Sequence, residues 1–167
     1  MNLHKTSTSN KQQQHILILG AARQGLAAAR YLLGQNVEVT INDQKNNEEL
    51  LSTLESIRNA FPDKKLHAVL GQGHPVDLLD GKDRVCLSGG IPLTLPLVKE
   101  AQARGMALTN DSQLLMEAVP CKVIGITGSA GKTTTTTLVG RMLEAWTAMP
   151  GCPYHRSWVG GNIGNPL

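Results

Sequence analysis

Five short apolar runs, each separated from the next by a stretch with helical spacing or a loop, most limit what this chain can fold into. HILIL at 15–19 gives way to RQGLAAARYLLG, in which Leu26, Ala29, Leu32 and Leu33 fall on one helical face. VEVTI (37–41) follows. NNEELLSTLESIRNAF then carries Leu50, Leu54, Ile57 and Phe61 at helical spacing, with acidic residues early, where they favour the helix dipole. LHAVL and RVCLS read as further strands. IPLTLPLVKEAQARG reads as a loop and a helix, with Pro96 in the first turn and Gly105 as the stop. MALTN is another strand and SQLLMEAV another helix. This alternation predicts an α/β fold: a parallel sheet with flanking helices, complete between residue 15 and about residue 119.

A fresh strand is expected at VPCKVIGIT (119–127), leading into a glycine-rich segment. Beyond it, LVGRMLEAW sets Leu138, Met142, Leu143 and Trp146 on one helical face. AMPGCPYHRS reads as a loop, and WVGGNIGNPL as the opening of a unit that the chain does not finish. The expected organisation is a polar, disordered tail (1–14), a complete domain (15–119) and an incomplete second domain (120–167). Exposed apolar residues such as Leu138, Met142 and Trp146 would then favour self-association.

Composition narrows the function classes. The chain has 16 basic and 13 acidic residues, and the opening MNLHKTSTSNKQQQ holds two of the lysines and no acid. What remains is almost neutral, which argues against a nucleic-acid footprint. Aromatics make up 3% of the residues, so aliphatic side chains must fill the core. No apolar run reaches the ~18 residues of a membrane span, and the opening segment lacks the apolar stretch of a signal peptide. Cys86, Cys121 and Cys152 suit neither a zinc knuckle nor a disulfide framework. Cys86 and Cys121 lie in apolar runs and are expected as core thiols. A cytoplasmic protein is the expectation.

Two turns carry the chemistry. GAARQG (20–25) follows a strand and opens a helix, as a dinucleotide fingerprint does, but Ala22 stands where its middle glycine would be. Helix amides at Arg23, Gln24 and Gly25 can still receive an anion. Asp43, at the end of the second strand, can accept hydrogen bonds from a ribose or a base. The alternative is a tight turn without a ligand. GITGSAGKTTTTT (125–137) departs by one residue from G-x-x-x-x-G-K-[ST], yet keeps the chemistry of a phosphate cradle. Gly128 and Gly131 let the loop turn its N–H groups inward. Lys132 brings a charge to the β- and γ-phosphates, and the Thr133 hydroxyl can meet Mg²⁺. Thr133 and Thr134 stand at the helix start, whereas Thr135, Thr136 and Thr137 are packing or capping residues.

The off-register loop T-G-x-x-G-K-[ST] resembles the ATP loop of the Mur ligases and the folylpolyglutamate synthetases. The complete Rossmann-like domain before it points to the Mur ligases. SGGIPLTLPLVKEAQARG (88–105) is similar to the S-P-G-[IV] loop and helix of their D-glutamate-adding branch. VGGNIGNPL (159–167) is similar to that branch's asparagine-bearing loop. The resemblance implies a domain that holds the uridine diphosphate part of UDP-N-acetylmuramoyl-L-alanine, followed by the truncated start of a P-loop ATPase domain. By that resemblance Arg23 and Gln24 contact the diphosphate, Asp43, Gln44 and Lys45 hold uracil and ribose, Gly90 meets the nucleotide through its backbone, and Asn162 reaches the substrate across the domain boundary. Gly128, Ser129, Ala130, Gly131, Lys132, Thr133 and Thr134 bind ATP, with Lys132 and Thr133 catalytic and Thr133 on Mg²⁺.

The implied reaction belongs to peptidoglycan precursor synthesis. ATP phosphorylates the L-alanine carboxylate, and the amine of D-glutamate displaces phosphate to form an amide. Two departures stand out: Gly89 replaces a proline and is expected to loosen its loop, and Ala22 alters the pyrophosphate turn. The family's metal-binding glutamate and histidine, carbamylated lysine and third domain have no counterpart in this chain. It is therefore expected not to ligate by itself. The alternatives are a naturally short, non-catalytic uridine-nucleotide module, or an NAD-dependent protein with an accidental lysine loop.

Overall fold

The computed structural model describes residues 13–161. Within them the chain divides into two compact units that meet between Leu114 and Leu115.

The first unit is a five-stranded, wholly parallel sheet. Its strands are β1 (His15–Leu19), β2 (Glu38–Asp43), β3 (Leu66–Leu70), β4 (Arg84–Leu87) and β5 (Ala107–Asn110), in the spatial order β3-β2-β1-β4-β5. The register pairs His15 with Glu38, Ile16 with Arg84, Val39 with Leu66 and Arg84 with Ala107. Alternation along the strands splits the core in two. Ile16, Ile18, Val39, Ile41, Leu66 and Cys86 face one side, where α1 (Arg23–Gly34), α2 (Glu48–Ala60) and Leu114 of α4 (Asp111–Ala118) cover them. Leu17, Leu19 and Val85 face the other, under α3 (Pro96–Ala103) and a short 3-10 turn (Val76–Leu79). Leu17, Ile18 and Leu19 are fully buried, as the central strand of a parallel sheet requires.

Local chemistry explains the helix boundaries. The Asn47 side chain accepts from the Leu50 N–H (2.9 Å), with Glu48 and Glu49 in the first turn of α2. Pro96 opens α3, and Gly105 follows its end at φ +68°. Asn110 accepts from the Gln113 N–H and so caps α4. Gln13 and Gln14 are already tied to the sheet, through Gln13 Nε2 to the Asn36 carbonyl and the Glu38 N–H to the Gln14 carbonyl. The expected tail thus stops short of these two residues, and its first twelve lie outside the described residues. β2 runs two residues past the apolar stretch VEVTI, because Asn42 and Asp43 find side-chain partners described below.

The second unit departs from expectation. No strand forms at 119–127: residues 122–128 have no regular structure, and Val123 and Ile124 are exposed. A strand needs a neighbour for its N–H and C=O groups, and no strand is described elsewhere in this unit. Cys121, expected in a core, is exposed for the same reason, whereas Cys86 is buried. The remaining helix, α5 (Lys132–Thr147), has Gly140 as its one buried residue, and Leu138, Met142 and Trp146 are exposed. Among the described residues, no helix is long and apolar enough to cross a membrane.

Candidate functional site

β1 feeds α1 on one face and β4 feeds α3 on the other, so the chain diverges between these adjacent strands. Such a switch point, at the C-terminal ends of parallel strands, is where open α/β sheets take ligands. The turn there leaves no room for side chains. Gly20 has φ +91°, and a Cβ on it would lie 2.9 Å from Ser88 Cβ. A Cβ on Gly25 would lie 1.9 Å from the Gly20 carbonyl oxygen, so α1 can lie against β1 only because residue 25 has no side chain. Ala22 takes φ −75° and ψ 179°, a conformation open to any residue, so the missing middle glycine leaves the turn intact.

In contrast to α2, the first turn of α1 has neither a side-chain cap nor an acidic residue. Its amides and dipole are left for an outside anion. Arg23 is exposed and has no ion pair among the described residues. Asp43 also has a structural job. Its Oδ2 accepts from the Ala21 N–H at 2.6 Å and its Oδ1 from the Lys45 N–H at 2.8 Å, so the carboxylate ties the β1–α1 turn to the end of β2. Each oxygen keeps a further lone pair for a ligand. Gln44 and the Lys45 side chain are exposed beside it.

The loop after β4 completes the crevice. The Ser88 N–H donates to the Leu19 carbonyl and the Ile91 N–H to the Ser88 carbonyl, with Gly90 between them at φ +95°. Gly89 was expected to loosen this loop. Instead its N–H, which a proline would lack, donates to Gln24 Oε1 at 3.1 Å. The Ser88 hydroxyl is buried and has no hydrogen-bond partner among the described residues. The structure therefore gathers Arg23, Gln24, Asp43, Gln44, Lys45 and Gly90 along one edge of the sheet. Asn162 lies outside the described residues.

Sequence reasoning missed the support behind this edge. Asn42 is fully buried; its Nδ2 donates to the Val69 carbonyl (2.9 Å) and the Gly73 carbonyl (3.3 Å), and its Oδ1 meets His74 Nδ1 at 2.5 Å. That network holds the loop after β3 against the end of β2. An asparagine at an inward strand position was the available signal, because a buried amide must find partners.

The second unit presents its loop at the N-terminus of α5. Gly131 has φ +75° and Gly128 φ +155°, and a Cβ on Gly131 would meet nothing within 4 Å. The helix has no side-chain cap, and Lys132 Nζ donates to the Gly128 carbonyl, folded onto its own loop. Ser129, Ala130, Thr133 and Thr134 are exposed. An ammonium, a hydroxyl and uncapped helix amides within one turn form a donor set that fits a phosphate and its cation. Thr137 Oγ1 donates back to the Thr133 carbonyl rather than capping the helix. A separate cavity of about 720 Å³, lined by residues including Gly140, Glu144, His155 and Trp158, involves none of residues 125–134. Among the described residues, no group of three or more His, Cys, Asp or Glu side chains is placed to hold a metal ion.

Residues 14–110 match the family described as Mur ligase MurD-like, N-terminal domain. The chain is 42% identical over 137 residues to the UDP-N-acetylmuramoylalanine–D-glutamate ligase of Oceanobacillus iheyensis, covering 81% of this chain and 29% of that protein. It is 39% identical over 155 residues to the ligase of the same name from Bacillus subtilis, covering 92% and 32%. It thus spans about a third of the length of these curated relatives. Among solved structures, the UDP-N-acetylmuramate:L-alanyl-gamma-D-glutamyl-meso-diaminopimelate ligase of Neisseria meningitides is similar in fold (TM-score 0.56, 22% identity), with 89% of this chain and 46% of that one covered. The chain belongs to the Mur ligase family, through a MurD-like N-terminal domain.

Proposed function

We propose that this member of the Mur ligase family holds the uridine diphosphate part of UDP-N-acetylmuramoyl-L-alanine in the crevice at the C-terminal edge of its sheet. One observation carries the reading. Gly20 and Gly25 bring the first turn of α1 onto the switch point, and that turn has no side-chain cap and no acidic residue of its own. A diphosphate suits that position. Arg23 adds an exposed cation, while Asp43, Gln44 and Lys45 line the adjacent end of β2 with acceptors and donors for ribose and base. Gly90 offers main chain to the nucleotide.

In the same reading, residues 15–119 are a substrate-holding domain and 120–167 the opening part of a central ATP-binding domain. The whole protein would be an ATP-dependent, cytoplasmic ligase of peptidoglycan synthesis that joins D-glutamate to the L-alanine carboxylate. ATP with Mg²⁺ supplies the phosphoryl group that activates that carboxylate. Gly128, Ser129, Ala130 and Gly131 would wrap the phosphates, with Thr134 near the helix start. The Lys132 ammonium would leave the Gly128 carbonyl to pair with phosphate, and Thr133 would offer its hydroxyl to Mg²⁺. Asn162 would also contact the substrate. Pairing of two copies through Leu138, Met142 and Trp146 belongs to the same proposal, and sedimentation velocity reads it.

The Lys132 contact with its own loop favours a second reading for the 167-residue chain by itself, a uridine-nucleotide module without catalysis. Calorimetric titration with UDP-N-acetylmuramoyl-L-alanine, and separately with Mg-ATP, divides the two. Binding of both, with ATP binding lost in Lys132→Ala, supports the ligase reading. Binding of the uridine compound alone supports the module. A folded chain that binds neither overturns the assignment.

A further inference from the structure

Gln24 and Gly89 are 65 positions apart, and they meet across the crevice. We propose that they form a latch, which holds the β4–α3 loop against the start of α1 and fixes the Gln24 amide nitrogen as a donor to the phosphate of a ligand. The ligand part rests on the nucleotide reading above; the latch itself rests on geometry alone.

Three observations support it. The first is directional. Only a carboxamide's oxygen can accept from an N–H, so the 3.1 Å bond from Gly89 sets which way the amide is turned. A Cβ placed on Gly89 would lie 2.3 Å from Gln24 Oε1, 3.4 Å from Cδ and 3.8 Å from Nε2, so the nitrogen is the end turned away from the loop. Nε2 has no partner among the described residues and two hydrogens to donate. The second concerns the loop. Its base is held to the sheet through Ser88 and its turn is closed by Ile91, but the described tie from its tip to α1 is Gln24. The third is steric. Any side chain at residue 89 would push Gln24 aside, and a proline would also remove the donor. Glycine at 89 is thus what allows the loop to be tied rather than what loosens it.

Beside the amides of α1 and the exposed Arg23, a fixed amide donor suits an anionic oxygen. It offers nothing particular to an uncharged nucleoside. The latch therefore separates phosphate-bearing ligands from bare ones.

The test uses the full chain, with UDP and uridine as probes. Amide exchange by NMR in the free protein should show the Gly89 N–H exchanging severalfold more slowly in the wild type than in Gln24→Ala; equal rates overturn the latch. In calorimetry, Gln24→Ala and Gly89→Pro should each weaken UDP about three- to tenfold, the size of one neutral hydrogen bond, with little change for uridine. The double variant should be no weaker than the weaker single one, because both remove the same tie. Gln24→Glu keeps an acceptor for Gly89 but has no donor, so it should preserve slow exchange and still lose UDP. Equal losses for UDP and uridine, or additive losses in the double variant, would overturn the proposal. A wild type that binds no UDP refutes the nucleotide reading and the ligand part with it, while the exchange rates still decide whether the latch exists.

Discussion

Gly25→Ala tests the central packing claim with one methyl group. The new Cβ would stand 1.9 Å from the Gly20 carbonyl oxygen, 3.1 Å from its carbon and 3.4 Å from Ile18 Cγ2. Helix and turn must therefore separate by about 1 Å or more. The turn cannot readily retreat. Gly20 donates to the Asn42 carbonyl at 2.8 Å, sits in a left-handed conformation, and already has Ser88 against it. Overpacking costs about 1–3 kcal/mol, and backbone pressed against backbone belongs at the upper end. Alanine's advantage over glycine in a helix returns about 1 kcal/mol, leaving a net loss of about 2 kcal/mol. Gly34→Ala, on the same helix, is the control. Its Cβ would meet only Phe61 Cε1, at 3.9 Å, so it should be neutral or stabilising by up to ~1 kcal/mol. Urea unfolding followed by far-UV circular dichroism reads both, with m unchanged. A Gly25→Ala protein as stable as the wild type, or more so, would refute the reasoning.

Three further outcomes follow from other parts of the fold. Asn42→Ala should cost about 1–3 kcal/mol, because it leaves the Val69 and Gly73 carbonyls without their partner; the same unfolding experiment measures it. A thiol reagent applied to the native chain should modify the exposed Cys121 and spare Cys86, whose thiol burial pushes up to about 12; peptide mass mapping would show any exception. Burial, and then the nearby Lys82, hold His15 below its ordinary 6.5 although Glu38 pulls the other way, so the fold favours neutral imidazole. Its contribution to stability is present above that value and declines as pH falls below it. His15→Gln should flatten the slope of stability against pH from about 6.5 downward, and an unchanged slope would sink this account.

The sheet was legible because its strands are short apolar runs and its helices repeat at a different period. HILIL and LHAVL match β1 and β3 residue for residue. VPCKVIGIT was misread because an apolar run states a preference for burial, not the presence of a strand to pair with. β2 was read two residues short because its last two residues are polar. Their reason for staying extended lies far along the chain, at Val69, Gly73 and His74 for Asn42 and at Ala21 for Asp43. Positions of candidate contact could be named from local motifs, and the sheet edge gathers six of them. Pairings such as Gln24 with Gly89 could not, since each depends on where two loops come to rest after the sheet has formed. Asp43 shows the difference most plainly, being at the expected place but already bound to two main-chain amides.

The crevice edge is built largely of main chain, which decides how the gene would answer to mutagenesis. Side-chain deletion has little to remove there, since residues 21 and 22 are alanine already and 20, 25, 89 and 90 are glycine. The informative library is the reverse one, which adds carbon instead of deleting it. Positions 20, 25 and 89 have an atom within 3.0 Å of an added Cβ, whereas 90 has nothing within 4 Å. Surviving variants should therefore be scarce at the first three, with position 89 the most forgiving because its obstacle is a movable side chain. In such a library, screened for folded protein, the packed edge would be mapped by where folding fails.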